Sequence, residues 1–226
     1  YLGSRSYAVL RLDDRGAGES GGDFAKATSD DFVADIAAAL AYVDSVLPGV
    51  PAGVLGHSDG GTTAIRSAVS NPKCSFIVTL SAPAWPGDSI IMSQGRAIAM
   101  SAMGRWDGES LQRQLLALAK GPLPSTLVKS AMLSLLAGQL GEMASLPEVQ
   151  TQLNAQADAV LSPWYRQMLR YNPAPDIKAV AVPWLALNGK LDLQVLPGNL
   201  TTISELNPSA ETVLLDGHNH LFLKYI

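Results

Sequence analysis

The chain is poor in the residues that build metal sites and cross-links. It has one cysteine, Cys74, and three histidines among 226 residues. A single thiol cannot close an internal disulfide, and one cysteine with three histidines offers no zinc-ligand pattern. Cys74 lies in the apolar run Cys74-Ser75-Phe76-Ile77-Val78 and reads as a small core hydrophobe. Charge is also scarce, at 16% of residues with a formal net charge of −4. Without a basic face, nucleic acid and anionic membranes are poor candidates as partners. No apolar run approaches the roughly 18 residues of a membrane-spanning helix. Gly16-Ala17-Gly18 lacks the third glycine and helix start of a dinucleotide fingerprint, so no cofactor is implied. Internal repeats and low-complexity linkers are missing too. Residue 1 is Tyr1 and the first methionine is Met92, so further sequence is expected upstream. Any targeting signal would lie there, which leaves the compartment open.

What is present is a well-filled core. Hydrophobic residues make up 47% of the chain, and its length suits one sizeable core or a core carrying an inserted subdomain. Tyr7-Ala8-Val9-Leu10-Arg11-Leu12 reads as a buried strand ended by the turn-rich Asp13 to Gly18. Ser29 then caps a helix with Asp30 and Asp31 in its first turn. Phe32, Val33, Ile36, Leu40, Val43 and Leu47 share one face of that helix, and Pro48-Gly49 closes it. Val54-Leu55 is the next strand, and Asp59 to Ser70 a helix stopped by Asn71-Pro72. Phe76 to Leu80 follows as a strand. Strands alternating with helices predict an α/β protein with a parallel sheet covered on both faces.

The rhythm breaks between Trp85 and Tyr171, where five helical runs replace strands: Ile90–Met103, Leu111–Lys120, Ser125–Leu140, Glu148–Val160 and Pro163–Tyr171. Alternation resumes with the strand Val182–Asn188, a helix over Asn199–Leu206 and the strand Thr212–Leu215. The expected organisation is a core of residues 1–84 and 172–226 with an all-helical cap at 85–171. All six methionines (Met92, Met100, Met103, Met132, Met143 and Met168) fall in that insert. They suit either an adaptable apolar wall or the packing of the cap onto the core.

The chemistry is carried by Gly56-His57-Ser58-Asp59-Gly60, where a strand turns through glycines into a helix with Ser58 at the apex. This is the pattern of a nucleophile elbow. A serine hydroxyl needs a base to take its proton, and the base needs a carboxylate to fix its tautomer. His220 and Asp192 fill these roles in the expected chain order, each in a loop after a strand. His218 competes for the base and Asp216 or Asp176 for the acid. His220 is preferred because it leads into the apolar Leu221-Phe222, and Asp192 because Asp216 is too close to the histidine and Asp176 precedes its strand. His57 reads as packing beside the sheet. The backbone N–H of Asp59 is the expected oxyanion donor, with a second donor in upstream sequence. Asp14 and Arg15 read as pins of a tight turn rather than as a substrate clamp or metal site.

Taken together, the Leu12–Ser20 loop (Leu-Asp-Asp-Arg-Gly-x-Gly-x-Ser) and the Gly56–Gly61 elbow resemble the α/β-hydrolase superfamily. Asn188–Val195 is similar to its acid loop and Asn219–Phe222 to its histidine loop. The resemblance is to its serine esterase and serine aminopeptidase-like branch. It implies a mostly parallel sheet flanked by helices, upstream strands of which one sits mid-sheet, and a segment that folds poorly without them. The function expected is hydrolysis of a small-molecule carboxylic ester through Ser58, His220 and Asp192, with no metal or cofactor. Two alternatives stay open. An aminopeptidase or amidase would use cap carboxylates among Asp107, Glu109, Glu142 and Glu148 to hold an α-ammonium, and a non-catalytic binding protein would retain only the fold.

Overall fold

A computed structural model describes residues 3–224. In chain order its elements are α1 (Ser29–Val46), β1 (Ala52–His57), α2 (Asp59–Ser70), β2 (Cys74–Leu80), α3 (Gly87–Met103), α4 (Glu109–Lys120), α5 (Ser125–Leu140), α6 (Pro147–Val160), α7 (Pro163–Arg170), α8 (Ala174–Ala179), β3 (Trp184–Gly189), α9 (Gly198–Leu206) and β4 (Glu211–Leu215). The four strands lie side by side in chain order, every pairing parallel. Leu55 stands opposite Val78, Val78 opposite Leu185 and Leu185 opposite Glu211. This is a parallel sheet flanked by helices, as in α/β-hydrolases.

A strand order that only rises, combined with right-handed crossovers, delivers every crossover helix to the same side. α8 accordingly contacts both α2 and α9. Val54, Ile77, Trp184 and Ala186 point to that side and are buried, in one cluster with Leu40, Ile65 and Ile203. The opposite side carries Leu55, Val78, Leu80, Leu185 and Leu187, none of them fully buried, and Leu55 is 55% exposed. The expectation of helices on both faces is therefore met on one face only among the described residues.

A second correction concerns residues 7–12. They form no strand, and Tyr7, Val9, Leu10 and Leu12 are exposed. An apolar run gives a segment its preference for an extended chain, but a strand exists only where a neighbour's backbone groups pair with it. No such pairing joins this segment to β1. A third correction is local. The cap of α1 is Thr28, not Ser29: its hydroxyl accepts from the Asp31 N–H while the Asp31 carboxylate accepts from the Thr28 N–H. This reciprocal box satisfies two donors that the first helical turn would leave orphaned.

The block between β2 and β3 is helical throughout. It has its own apolar cluster of Leu116, Ala119, Val128, Met132, Leu161 and Leu169, against which Met92 and Met168 pack, whereas Met100, Met103 and Met143 are exposed. Buried Asn199 fixes where the block departs. Its Oδ1 accepts from the Ala84 and Trp85 N–H groups, and its Nδ2 donates to Leu196 O. Among the described residues no helix is long and apolar enough to cross a membrane.

Candidate active site

The turn from β1 into α2 is tight enough to dictate its own sequence. A Cβ on Gly56 would lie 2.0 Å from the Gly60 carbonyl oxygen, and one on Gly61 would lie 2.6 Å from Ala82 Cβ. Ser58 at the apex has φ 54° and ψ −121°, a backbone state that side-chain-bearing residues rarely adopt. The turn is held by Ser58 N–H to Leu80 O at 2.8 Å and Gly61 N–H to Ser58 O at 2.9 Å. Asp59 opens α2, so its backbone N–H sits at the positive end of the helix dipole.

The loops after β3 and β4 are sewn together at the same carboxyl rim. Lys190 N–H donates to Leu215 O, and Leu191 N–H donates to His218 O. Gly189 makes this approach possible, because a Cβ there would lie 2.3 Å from His218 O. The result brings Asp192 and His220 into contact: His220 Nδ1 and Asp192 Oδ2 are 2.9 Å apart, with Asp192 1% and His220 7% exposed. Asp192 Oδ1 accepts from the backbone N–H groups of Gln194 and Val195. Burial pushes the Asp192 carboxyl up, but hydrogen bonding to His220 and these N–H groups outweighs it and holds the carboxyl below its ordinary value. Ser81, whose backbone also has positive φ, adds to that lowering; its buried hydroxyl lies close to the carboxylate without the geometry of a full hydrogen bond. An ionised Asp192 accepts the Nδ1 proton of His220 and leaves Nε2 free as a proton acceptor.

The rival residues have other partners. His218 is half-buried, with Nδ1 2.8 Å from Asp216 O. Asp216 pairs with Lys190 at 2.9 Å in solvent, and Asp176 accepts from the Tyr171 hydroxyl at 2.6 Å. His57 does more than pack. Its Nε2 lies 2.8 Å from the His220 carbonyl oxygen, which can only accept, so His57 Nε2 carries the proton. The two imidazole rings are 4.7 Å apart. His57 thus links the elbow to the histidine loop, a role that adjacency to Ser58 in sequence could not signal. Ser58 directly follows His57 in the chain, and among the described residues no hydrogen bond joins its hydroxyl to His220.

The helical block reaches the elbow through α7. Trp164 Nε1–H donates to Asp59 Oδ2 at 2.9 Å. Burial pushes the Asp59 carboxyl above its ordinary value, against the lowering effect of Trp164 and Arg66. A second tie runs from Gln167 to the start of α1, whose Ser29 N–H donates to Gln167 Oε1 while Gln167 Nε2 donates to Asp30. The Asp14-Arg15 loop bears on the elbow through the charge of Asp14, a minor contributor to the raising of the Asp59 carboxyl. Arg15 holds Asp35 with two hydrogen bonds and Asp31 with an ion pair, pinning the loop to α1. No group of three or more histidine, cysteine, aspartate or glutamate residues is arranged to hold a metal among the described residues.

Known proteins give a consistent picture. The family model described as serine aminopeptidase, S33, matches residues 1–192. No curated protein matches the chain. Among solved structures, an esterase of Thermogutta terrifontis is 17% identical with a TM-score of 0.51, over 92% of this chain and 70% of that one. A Pyrococcus furiosus esterase is 17% identical with a TM-score of 0.53, over 95% of this chain and 64% of its own. A hydrolase from Pseudomonas aeruginosa PA01 is 17% identical with a TM-score of 0.51, over 93% of this chain and 72% of that chain. At these identities the likeness is one of fold. The match to the family model spans the elbow and ends at Asp192, and on that extent the chain belongs to the serine aminopeptidase S33 family of α/β-hydrolases.

Proposed function

We propose that this protein is a serine hydrolase of carboxylic esters, with Ser58 as nucleophile, His220 as base and Asp192 as the group that orients it. The observation that carries the reading is the buried His220–Asp192 hydrogen bond of 2.9 Å, held beside a strained serine turn. Ser58 Oγ attacks the ester carbonyl carbon as its proton passes to His220 Nε2. The Asp59 N–H stabilises the oxyanion of the tetrahedral adduct. Collapse breaks the bond to the alkoxy oxygen, which leaves as the alcohol with the proton from His220. Water then attacks the acyl-enzyme, giving its proton to His220, and the second collapse releases the carboxylic acid and restores Ser58. A base in hydrogen-bond reach of the hydroxyl is required, and such bonds commonly tighten only once substrate is bound. In this reading residues 85–171 form a cap over the rim, tied to the elbow through Trp164, and their methionines favour an apolar acyl group of short to medium length.

The family description keeps an aminopeptidase reading in play. That activity needs free carboxylates for an α-ammonium, and two of the four candidates among the cap carboxylates are engaged elsewhere. Asp107 pairs with Arg105 and Glu109 with Arg113. The ester reading is favoured for that reason. Ser58→Ala is expected to abolish p-nitrophenyl ester hydrolysis and labelling by a fluorophosphonate probe while leaving the melting curve in place. Retained labelling in the variant, or none in the native protein, would overturn the assignment. Parallel assays on amino-acid anilides separate the amide reading from the ester one.

A further inference from the structure

One cavity among the described residues is lined by none of Ser58, Asp192 or His220. It is a trough of about 850 Å³ between α3 and α4. Met92 and Met100 from α3, Leu116 from α4 and Leu196 from the loop after Asp192 supply its apolar wall. Trp85 precedes α3 and Trp106 follows it, so both indoles line the same space from opposite ends of that helix. The volume lies within the roughly 300–1,000 Å³ usual for small-molecule sites.

Charge selects among the small molecules that could enter. The lining holds two carboxylates, Asp88 and Glu109, and each already has a cation. Lys120 pairs with Asp88, and Arg113 with Glu109 at 2.7 Å. The remaining cation is Arg96, one helical turn from both Met92 and Met100. Arg96 has no hydrogen bond or ion pair among the described residues. An apolar trough with one uncommitted guanidinium suits an elongated apolar body ending in a single negative charge. A planar carboxylate matches the paired N–H groups of a guanidinium. A cationic amphiphile would meet like charge there, and a multiply charged phosphate would lack a second free cation.

We propose that the trough between α3 and α4 binds a small amphipathic carboxylate, with Arg96 as its anion contact and the methionine-lined wall holding its chain. The site does not depend on the hydrolytic reading, and its test removes Ser58 so that turnover plays no part. Octanoate is titrated into the full chain carrying Ser58→Ala, with indole fluorescence as the signal and octanol as the neutral control of equal length. A saturable change is expected for octanoate, with octanol weaker by about tenfold, the scale of one charge-assisted hydrogen bond. Arg96→Ala should bring octanoate down to the octanol level, and Arg96→Lys should restore part of the difference. Trp85→Phe with Trp106→Phe should remove the signal, leaving Trp164 and Trp184 silent. Equal affinities for octanoate and octanol, no effect of Arg96→Ala in a variant that melts normally, or a signal that survives the double tryptophan change would each overturn the proposal.

Discussion

On the helix-covered face of the sheet, Val54, Ile77, Trp184 and Ala186 are buried at every second residue, the period of a strand packed on one side. At the carboxyl rim of the same strands the pattern inverts. The buried groups there are polar (Asn188, Asp192, Ser81 and His220), and Ser58 and Ser81 have positive φ. The face obeys the rules that stabilise a fold. The rim departs from them in residue type and in backbone conformation, and such departures gather where a protein does chemistry.

The comparison breaks most sharply at Asp192. Asp192→Asn should reduce kcat on a p-nitrophenyl ester by about 10⁴, the scale on which a wrong imidazole tautomer acts. It should also change acid sensitivity. The folded-state carboxyl is held below its ordinary value, so its stabilising contribution is present above that ordinary value and is lost as pH falls through the folded one. Urea midpoints measured against pH should fall less steeply toward acid in the variant than in the native protein, the remaining slope coming from other lowered carboxyls such as Asp30 and Asp31. A variant that keeps full turnover would place the acid elsewhere.

Ile77→Ala probes the opposite rule. Ile77 is 1% exposed on the covered face, so truncation should cost about 2–5 kcal/mol in unfolding free energy. Whatever fraction remains folded should keep its kcat. Loss of turnover in the folded protein would mean that face and rim are not separable.

His57→Phe keeps the ring and removes the hydrogen bond to His220 O. About tenfold in kcat is expected to go, from a histidine loop held less well, with KM little changed. A change confined to the melting temperature would reduce His57 to a packing residue.

Leu55→Ala gives the smallest effect. On the uncovered face the change should stay within about 0.5 kcal/mol. A cost as large as that of Ile77→Ala would show that this face is covered in the protein as it folds.

The elbow was legible because two of its three glycines are sterically compelled: only residues without a Cβ fit at 56 and 61, whereas a Cβ on Gly60 would meet nothing within 4 Å. The helices of the block were legible to within a few residues, since helical periodicity is local. Residues 7–12 misled for the converse reason, because their apolar run says nothing of a pairing partner. The one-sided packing of the sheet was hidden too, as it follows from strand order and crossover hand rather than from composition. Short α8, with only six residues, leaves too little periodicity to read. The contact between His57 and His220 O joins positions 163 residues apart, and no spacing rule reaches that far.

Asn199 has a wider implication. It grips the chain leaving β2 by two main-chain N–H groups and the chain after β3 by a carbonyl, so the anchorage ignores which side chains come between. Such a mooring fixes the exit from β2 through main-chain groups alone, so the helices between β2 and β3 can be exchanged or redesigned without disturbing it. New specificities could then evolve by replacing one removable part of the molecule.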